Sequence, residues 1–308
     1  MSVNHTIMAV RTLPSDLQKI AANEINEEPN RVPSDIQAIK EWMIKEPHLN
    51  GRTEDQWILR YLRGCKFSIQ FTKDKIDNYY SLRSTVPQFF KNRDPMLPEI
   101  QHALNQKITT ALNTNISGPQ TVILRLENWD ERTTLATLAK INLMVLEILL
   151  NENDYMLLGQ YAIIDLQNLD LVRLSELSVT AIRNLAALHY AYPVRPKCII
   201  FLNAPTLVMT LYNTFSYLLN EKIRNRVRFY SKKNLKSIQE MIPISILPKE
   251  YGGEACWDKL GDYWKQKVES YRDWFIDDDK YGVDESKRLK KKYDLDYVDG
   301  NFRKLEVD

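Results

Sequence analysis

Residues 195–236 read RPKCIIFLNAPTLVMTLYNTFSYLLNEKIRNRVRFYSKKNLK, an apolar strand that runs into an aromatic-rich helix with cations on both sides. The segment 198–203 (CIIFLN) has the length and unbroken apolarity of a strand buried on both faces. Pro205 stands where a helix opens, and 205–219 repeats apolar residues at helical spacing: Leu207, Val208, Leu211, Tyr212 and Phe215. Residues 221–236 then hold seven Lys/Arg against one acidic residue. Read as a helix, this stretch puts Lys222 and Arg226 on one face and Arg224 and Arg228 in a second row. Core packing alone accounts for a greasy helix, and solvation alone for a charged one. Side by side they predict a helix that covers a pocket and opens onto lipid, flanked by cations suited to anionic headgroups.

Outward from that stretch the pattern repeats. Segments 121–126 (TVILRL) and 161–166 (YAIIDL) read as strands, and 131–155 and 171–190 as the helices between them. Strands alternating with helices predict an α/β fold with a mainly parallel sheet and crossover helices. Upstream, 13–105 reads as helices. Ser34-Asp35 is placed to cap a helix carrying Ile36, Ile39, Trp42 and Met43, which Pro47 and Gly51 end. Thr53 with Gln56 fits a capping box for the helix of Trp57, Leu59, Tyr61 and Leu62. Residues 71–86 are amphipathic through Ile76, Tyr79, Tyr80 and Leu82, and 91–98, with two prolines, reads as a linker. Downstream, 249–253 (KEYGG) is a tight turn before a further helix. Residues 276–308 mix charges with few large apolar side chains, which predicts a surface or disordered tail. The expected division is a helical domain over 13–98, a sheet domain over 99–256, and a C-terminal helix and charged tail over 257–308.

A chain of 308 residues, 44% apolar and 27% charged, can bury a large core without disulfides or metals. A net charge of +2 disfavours nucleic acid as a global partner. The start has no signal-peptide pattern, no apolar run approaches the roughly 18 residues of a membrane span, and Cys65, Cys198 and Cys256 are scattered. These features predict a cytosolic protein with reduced thiols. Catalytic signatures are missing. No glycine-rich phosphate loop follows a strand, Gly252-Gly253 precedes no GK[ST], and no G-x-S-x-G, HExxH or CxxC occurs. His5, His48, His102 and His189 lie far apart. Asp165 reads as a cap on the turn after its strand, Glu147 as a satisfied structural carboxylate, and Cys198 as a small core hydrophobe. The expectation is no catalysis, no metal and no cofactor.

Several short motifs fall in a familiar order: Leu59-Arg60-Tyr61-Leu62-Arg63 with Lys66-Phe67, then Trp129-Asp130, Asp165-Leu166, Tyr192-Pro193 and Asn203-Ala204-Pro205. Leu219-Asn220-Glu221-Lys222-Ile223, Leu247-Pro248 and Tyr251-Gly252-Gly253 complete the series. Over roughly residues 36–253 the chain resembles the CRAL-TRIO lipid-binding family, and within it the branch of alpha-tocopherol transfer protein and cellular retinaldehyde-binding protein. The resemblance implies a small helical domain, then a mainly parallel sheet flanked by helices, with a mobile lid helix over a hydrophobic pocket. It implies carriage of one tocopherol-, retinoid- or carotenoid-like ligand without catalysis, by a monomer that associates peripherally with membranes.

The same resemblance implies four cationic positions that hold a phosphatidylinositol bisphosphate headgroup. These fall on Arg195 with Lys197 beside it, on Lys222, on Arg226, and on Cys65, which is not basic but is followed by Lys66. Where the family often has His-Gly after the basic segment, this chain has Tyr230-Ser231. Pocket positions fall on Ala139, Asn142, Leu143, Leu146, Ile164, Leu169, Asn184, Ala187, Ile199, Val208, Leu211 and Phe215. Asn142 and Asn184 are polar positions for a ligand hydroxyl or a water; Ala139 and Ala187 imply a roomy pocket. A membrane-associated interaction scaffold with the same fold and a filled core is the alternative.

Overall fold

A computed structural model describes residues 10–112, 118–169 and 171–289. The first nine residues, including His5, and the tail beyond 289 lie outside the described part.

The chain opens with helices α1 (Ser15–Ile25) and α2 (Val32–Lys45), a short strand β1 (Leu49–Asn50), and helices α3 (Asp55–Gly64), α4 (Ile69–Thr85), α5 (Pro87–Phe90) and α6 (Pro98–Asn105). Two expected caps are corrected. Helix α2 starts at Val32 with proline in its first turn, so Ser34 is already helical and donates to the Arg31 carbonyl at 2.8 Å. Helix α3 has no side-chain cap; Gln56 instead accepts the Arg11 backbone N–H at 3.0 Å. The longer helices pack around Trp57, Tyr61, Tyr79, Tyr80 and Phe90, whose rings meet mostly tilted or edge-on, the geometry aromatic quadrupoles favour.

The second part runs β2 (Thr109–Ala111), β3 (Gln120–Arg125), α7 (Leu135–Glu152), β4 (Gln160–Asp165), α8 (Leu171–Ser175), α9 (Val179–Ala191), β5 (Pro196–Leu202), α10 (Thr206–Phe215), α11 (Glu221–Arg224), β6 (Val227–Tyr230) and α12 (Leu235–Met241). Helices α13 (Trp257–Ser270) and α14 (Arg272–Asp278) and strand β7 (Gly282–Val283) finish it. Among the described residues the sheet has five strands in the order β2-β3-β4-β5-β6, with β2 antiparallel and the rest parallel. It is therefore the expected mainly parallel α/β sheet, with two strands more than the three apolar runs suggest.

Three further expectations are corrected. The helix expected over 171–190 is two helices, because Ser178 accepts the Ala181 N–H at 3.2 Å and caps a new start. The basic stretch 221–236 is not one helix. Helix α11 ends at Arg224, and Val227 and Phe229 alternate with Arg228 at the period of a strand. Lys222 and Arg226 therefore do not share a helical face. The Tyr230-Ser231 turn closes on itself, with Asn234 Oδ1 accepting from Ser231 N at 3.0 Å. The linker at 91–98 joins α5 to α6, and Arg93 within it is fully buried and ion-paired to Glu147 at 2.9 Å. Finally, the start of the tail expected at the surface is built into the fold, since Asp278 is buried and β7 pairs with β1.

Right-handed crossovers between strands added in one direction put their helices on one side of the sheet. Helices α7, α9 and α10 therefore share a face, and α12 packs the other around Ile123, Ile163 and Ile200.

Candidate lipid site and cationic rim

Strands covered on both faces normally bury both sets of side chains. Here the two sets differ. On the α12 side Ile123, Ile163 and Ile200 are all 0% exposed. On the crossover side the register aligns Val122, Ala162, Ile199 and Val227 in one row, and Leu124, Ile164, Phe201 and Phe229 in the next. Apart from Val122, every member of those rows is only half-buried. Ile182, Leu185 and Ala186 of α9 and Leu211, Tyr212 and Phe215 of α10 are half-buried too. The crossover-side rows thus keep apolar surface accessible, whereas the opposite face buries its central isoleucines as a packed core does.

Helix α10 rests on this face at two points. Val208 is buried in the cluster of Leu126, Trp129, Leu138, Leu166 and Leu174. The Tyr212 ring meets Phe229 edge-on at 5.2 Å, and Phe229 stacks on Phe201 at 5.3 Å. Its outward side is apolar as well: Leu207 and Met209 are 45% and 41% exposed, and Tyr217 beyond it 55%.

The positions expected to line a pocket divide into groups. Ile164, Ile199, Leu211 and Phe215 belong to the open face or its cover, and Asn142, Leu146, Asn184 and Ala187 are half-buried on α7 and α9. Ala139 and Leu143 are buried in the cluster that joins α7 to the N-terminal helices, while Leu169 and Val208 belong to the Trp129 cluster. Ala162, Phe201, Val227 and Phe229 were not anticipated; counting by twos along YAIIDL, CIIFLN and VRFY is the signal that finds them.

The cations behave unequally. Arg195 donates to the Leu157 carbonyl at 2.8 Å, and Arg226 Nη1 to the Pro196 carbonyl. Burial, and then the nearby charge of Arg195, lowers the Arg226 pKa. Arg195 and Lys197 converge on one carboxylate, Glu24 of α1, at 3.3 and 3.4 Å. Burial would raise the Glu24 carboxyl, but Lys197 and Arg195 outweigh it and hold it below its ordinary value. Nothing in the motif order points to Glu24, because α1 precedes the motifs. Lys222 is exposed on α11. Cys65 is buried and its thiol is pushed up to about 11 by burial, so that position presents no cation to solvent. The neighbouring cation is Lys75, spent on the carbonyls of Tyr190 (2.9 Å) and Tyr192 (3.1 Å).

The carboxylates of Asp165 and Glu147 are each engaged by several protein donors. Asp165 accepts from Gln167 N (3.1 Å), Asn203 Nδ2 (2.9 Å) and Tyr251 Oη (3.0 Å), tying the ends of β4 and β5 to the turn at 251. Glu147 accepts from Tyr79, Tyr192 and Arg93. No described helix is long and apolar enough to cross a membrane.

Residues 28–100 match the family model described as Pinta-like, UBA domain, and residues 104–253 match the CRAL/TRIO domain. Human Clavesin-2 is 30% identical over 275 residues, spanning 88% of this chain and 83% of that protein. Clavesin-1 of Xenopus laevis is 30% identical over 234 residues, 75% of this chain and 70% of that protein. The crystal structure of Sfh5 aligns with a TM-score of 0.48 at 14% identity, covering 83% of this chain and 98% of that one. With the CRAL/TRIO match over the sheet and its helices, and relatives aligned along most of their length, the chain belongs to the CRAL-TRIO family of lipid-binding proteins.

Proposed function

We propose that this protein carries one hydrophobic molecule between the sheet and helices α9 and α10, and exchanges it at phosphoinositide membranes without catalysis. The observation that carries the reading is the pair of half-buried apolar rows on one face of a sheet whose other face buries Ile123, Ile163 and Ile200 completely. Helix α10 is the gate: inner residues cover the rows, and Leu207 and Met209 offer an apolar edge to a bilayer. Asn142 and Asn184 supply the polar contacts that orient a ligand bearing a hydroxyl or carbonyl, as in a tocopherol, retinoid or carotenoid. Arg195, Lys197, Lys222 and Arg226 form the docking rim for phosphatidylinositol bisphosphate, and the protein works as a cytosolic monomer bound peripherally to membranes.

Flotation with phosphatidylcholine vesicles, with and without phosphatidylinositol bisphosphate, tests the docking. Each cation near an acidic surface is worth about 1 kcal/mol, so Arg195→Ala/Lys197→Ala should weaken binding roughly 30-fold. Equal binding by wild type and variant would remove the rim from the reading. Native mass spectrometry after incubation with extracted lipid tests the pocket; a protein that takes up no lipid supports the scaffold alternative instead.

Glu24 gives the docking reading a second test. Its carboxylate occupies Arg195 and Lys197, so an arriving phosphate must displace it. Glu24→Ala should strengthen vesicle binding about two- to fivefold, the modest gain appropriate to a partly exposed ion pair. Weaker binding by the variant would show that Glu24 orders the rim rather than competing for it.

A further inference from the structure

The C-terminal end of α3 and the turn at 193–195 enclose a cavity of about 30 Å³ whose wall includes Arg11, Arg60, Arg63, Gly64, Asp154 and Arg195. Glycine is required at 64: a Cβ there would stand 2.5 Å from the Pro193 carbonyl oxygen, so this close approach brings the two arginine-bearing segments together. Three of the four guanidiniums have a carboxylate. Arg63 forks onto Glu27 with two bonds of 2.9 Å and lies 3.6 Å from Asp154. Arg11 holds Asp154 at 3.0 Å, and Arg195 holds Glu24. Arg60 has none among the described residues. Its Nη1 donates to Asn151 Oδ1 at 2.7 Å, while Nε and Nη2 are buried with no hydrogen-bond partner among those residues. The side chain lies against the rings of Trp57 and Tyr61, and the residue is only 6% exposed.

A buried guanidinium with two unmet donors and no counter-ion is costly unless something completes it, and native proteins rarely leave such groups open. The rings supply part of the compensation, but an aromatic face meets no in-plane N–H. We propose that this cleft binds a phosphate-class oxyanion, with Arg60 and Arg195 as its principal donors and Arg11 and Arg63 at its flanks. The forked guanidinium matches tetrahedral oxyanions, and a volume near 30 Å³, enough for about two waters, leaves room for one such group. Asp154 is held by Arg11 and Arg63, which sets the anion toward the Arg60 and Arg195 side. The subsite differs from the docking rim proposed above: it shares only Arg195, and its other cations come from α3 and the segment before α1, while position 65 contributes none. It goes beyond the docking reading and does not depend on it.

The phosphate can belong to a lipid headgroup or be free, and the test separates the two. Calorimetric titration of the full chain with inorganic phosphate, against chloride at matched ionic strength, should show one site. Arg60→Gln should weaken it at least tenfold, with Arg60→Lys in between. Because Arg60 is buried, circular dichroism checks the fold, and Arg11→Ala, at the rim of the cleft, makes the same comparison if Arg60→Gln does not fold. Phosphate that also competes with bisphosphate vesicles through Arg60 identifies a headgroup; phosphate binding with vesicle flotation unaffected identifies the free ion. Vesicle docking absent with phosphate binding intact sinks the docking reading and leaves this site standing. Phosphate binding no stronger than chloride, or equal in wild type and the folded variants, overturns the proposal.

Discussion

Replacing Asp278 by alanine is expected to lower unfolding free energy by about 3–5 kcal/mol, the cost of removing one partner from a buried ion pair. Asp278 Oδ2 accepts from Arg83 at 2.5 Å and from Arg93, and Oδ1 from Arg52 at 2.8 Å. All four side chains are almost completely buried. Without the carboxylate, Arg93 keeps Glu147 and Arg52 keeps Glu54, Asp277 and two aromatic rings, but Arg83 loses its side-chain ion pair and keeps the Tyr79 hydroxyl, a carbonyl and the rings of Tyr79 and Phe90. Asp278→Asn should cost most of the same amount, since it preserves shape and removes charge. Urea unfolding measures both, and either variant within 1 kcal/mol of wild type would show that the network is dispensable. The pH dependence follows in sign. Burial alone would raise the Asp278 carboxyl, but Arg83, Arg93 and Arg52 hold it far below the usual carboxylate range. Its contribution is fully present above the unfolded value of about 3.9 and is lost as pH falls through the depressed folded one. Asp278→Asn should therefore flatten the acid limb of the stability curve.

This network also shows where sequence reading stops. The sheet is legible because CIIFLN, YAIIDL and TVILRL are apolar runs of strand length, a local property. The motif order carries the family for the same reason. Arg93 and Asp278 stand 185 residues apart in segments rich in proline or charge, and each looks solvated until the other is placed beside it. Helix caps fail in a related way: Gln56 fits a capping box by spacing, but the Arg11 backbone reaches it first. The basic stretch 221–236 misleads because charge density dominates the eye. Its period changes from helical to alternating at Val227, and that change is readable in VRFY. The short edge strand β2, TTA, has neither the length nor the apolarity to announce itself; its pairing with β3 makes it a strand.

Ala162→Phe should abolish lipid loading, at least tenfold by native mass spectrometry, while leaving the melting temperature within a few degrees of wild type. Ala162 lies in the middle of the open face, in register with Val122 on one side and Ile199 on the other. It is half-buried beneath the crossover helices. If that face bounds space meant for a ligand, the added ring fills it and costs the fold little. If the face is an ordinary core, the ring overpacks it, and the expected cost is about 1–3 kcal/mol. Ile163→Phe supplies the comparison, because successive residues of a strand point to opposite faces. Ile163 is completely buried against the α12 side, so its variant should lose that 1–3 kcal/mol by the same overpacking. Ala162→Phe destabilised as much as Ile163→Phe, with lipid uptake unchanged in the folded fraction, would turn the carrier reading into the scaffold one. A stable, lipid-free Ala162→Phe beside a destabilised Ile163→Phe is the result that a packed core cannot produce, since only an open face tolerates the added volume and loses its occupant to it.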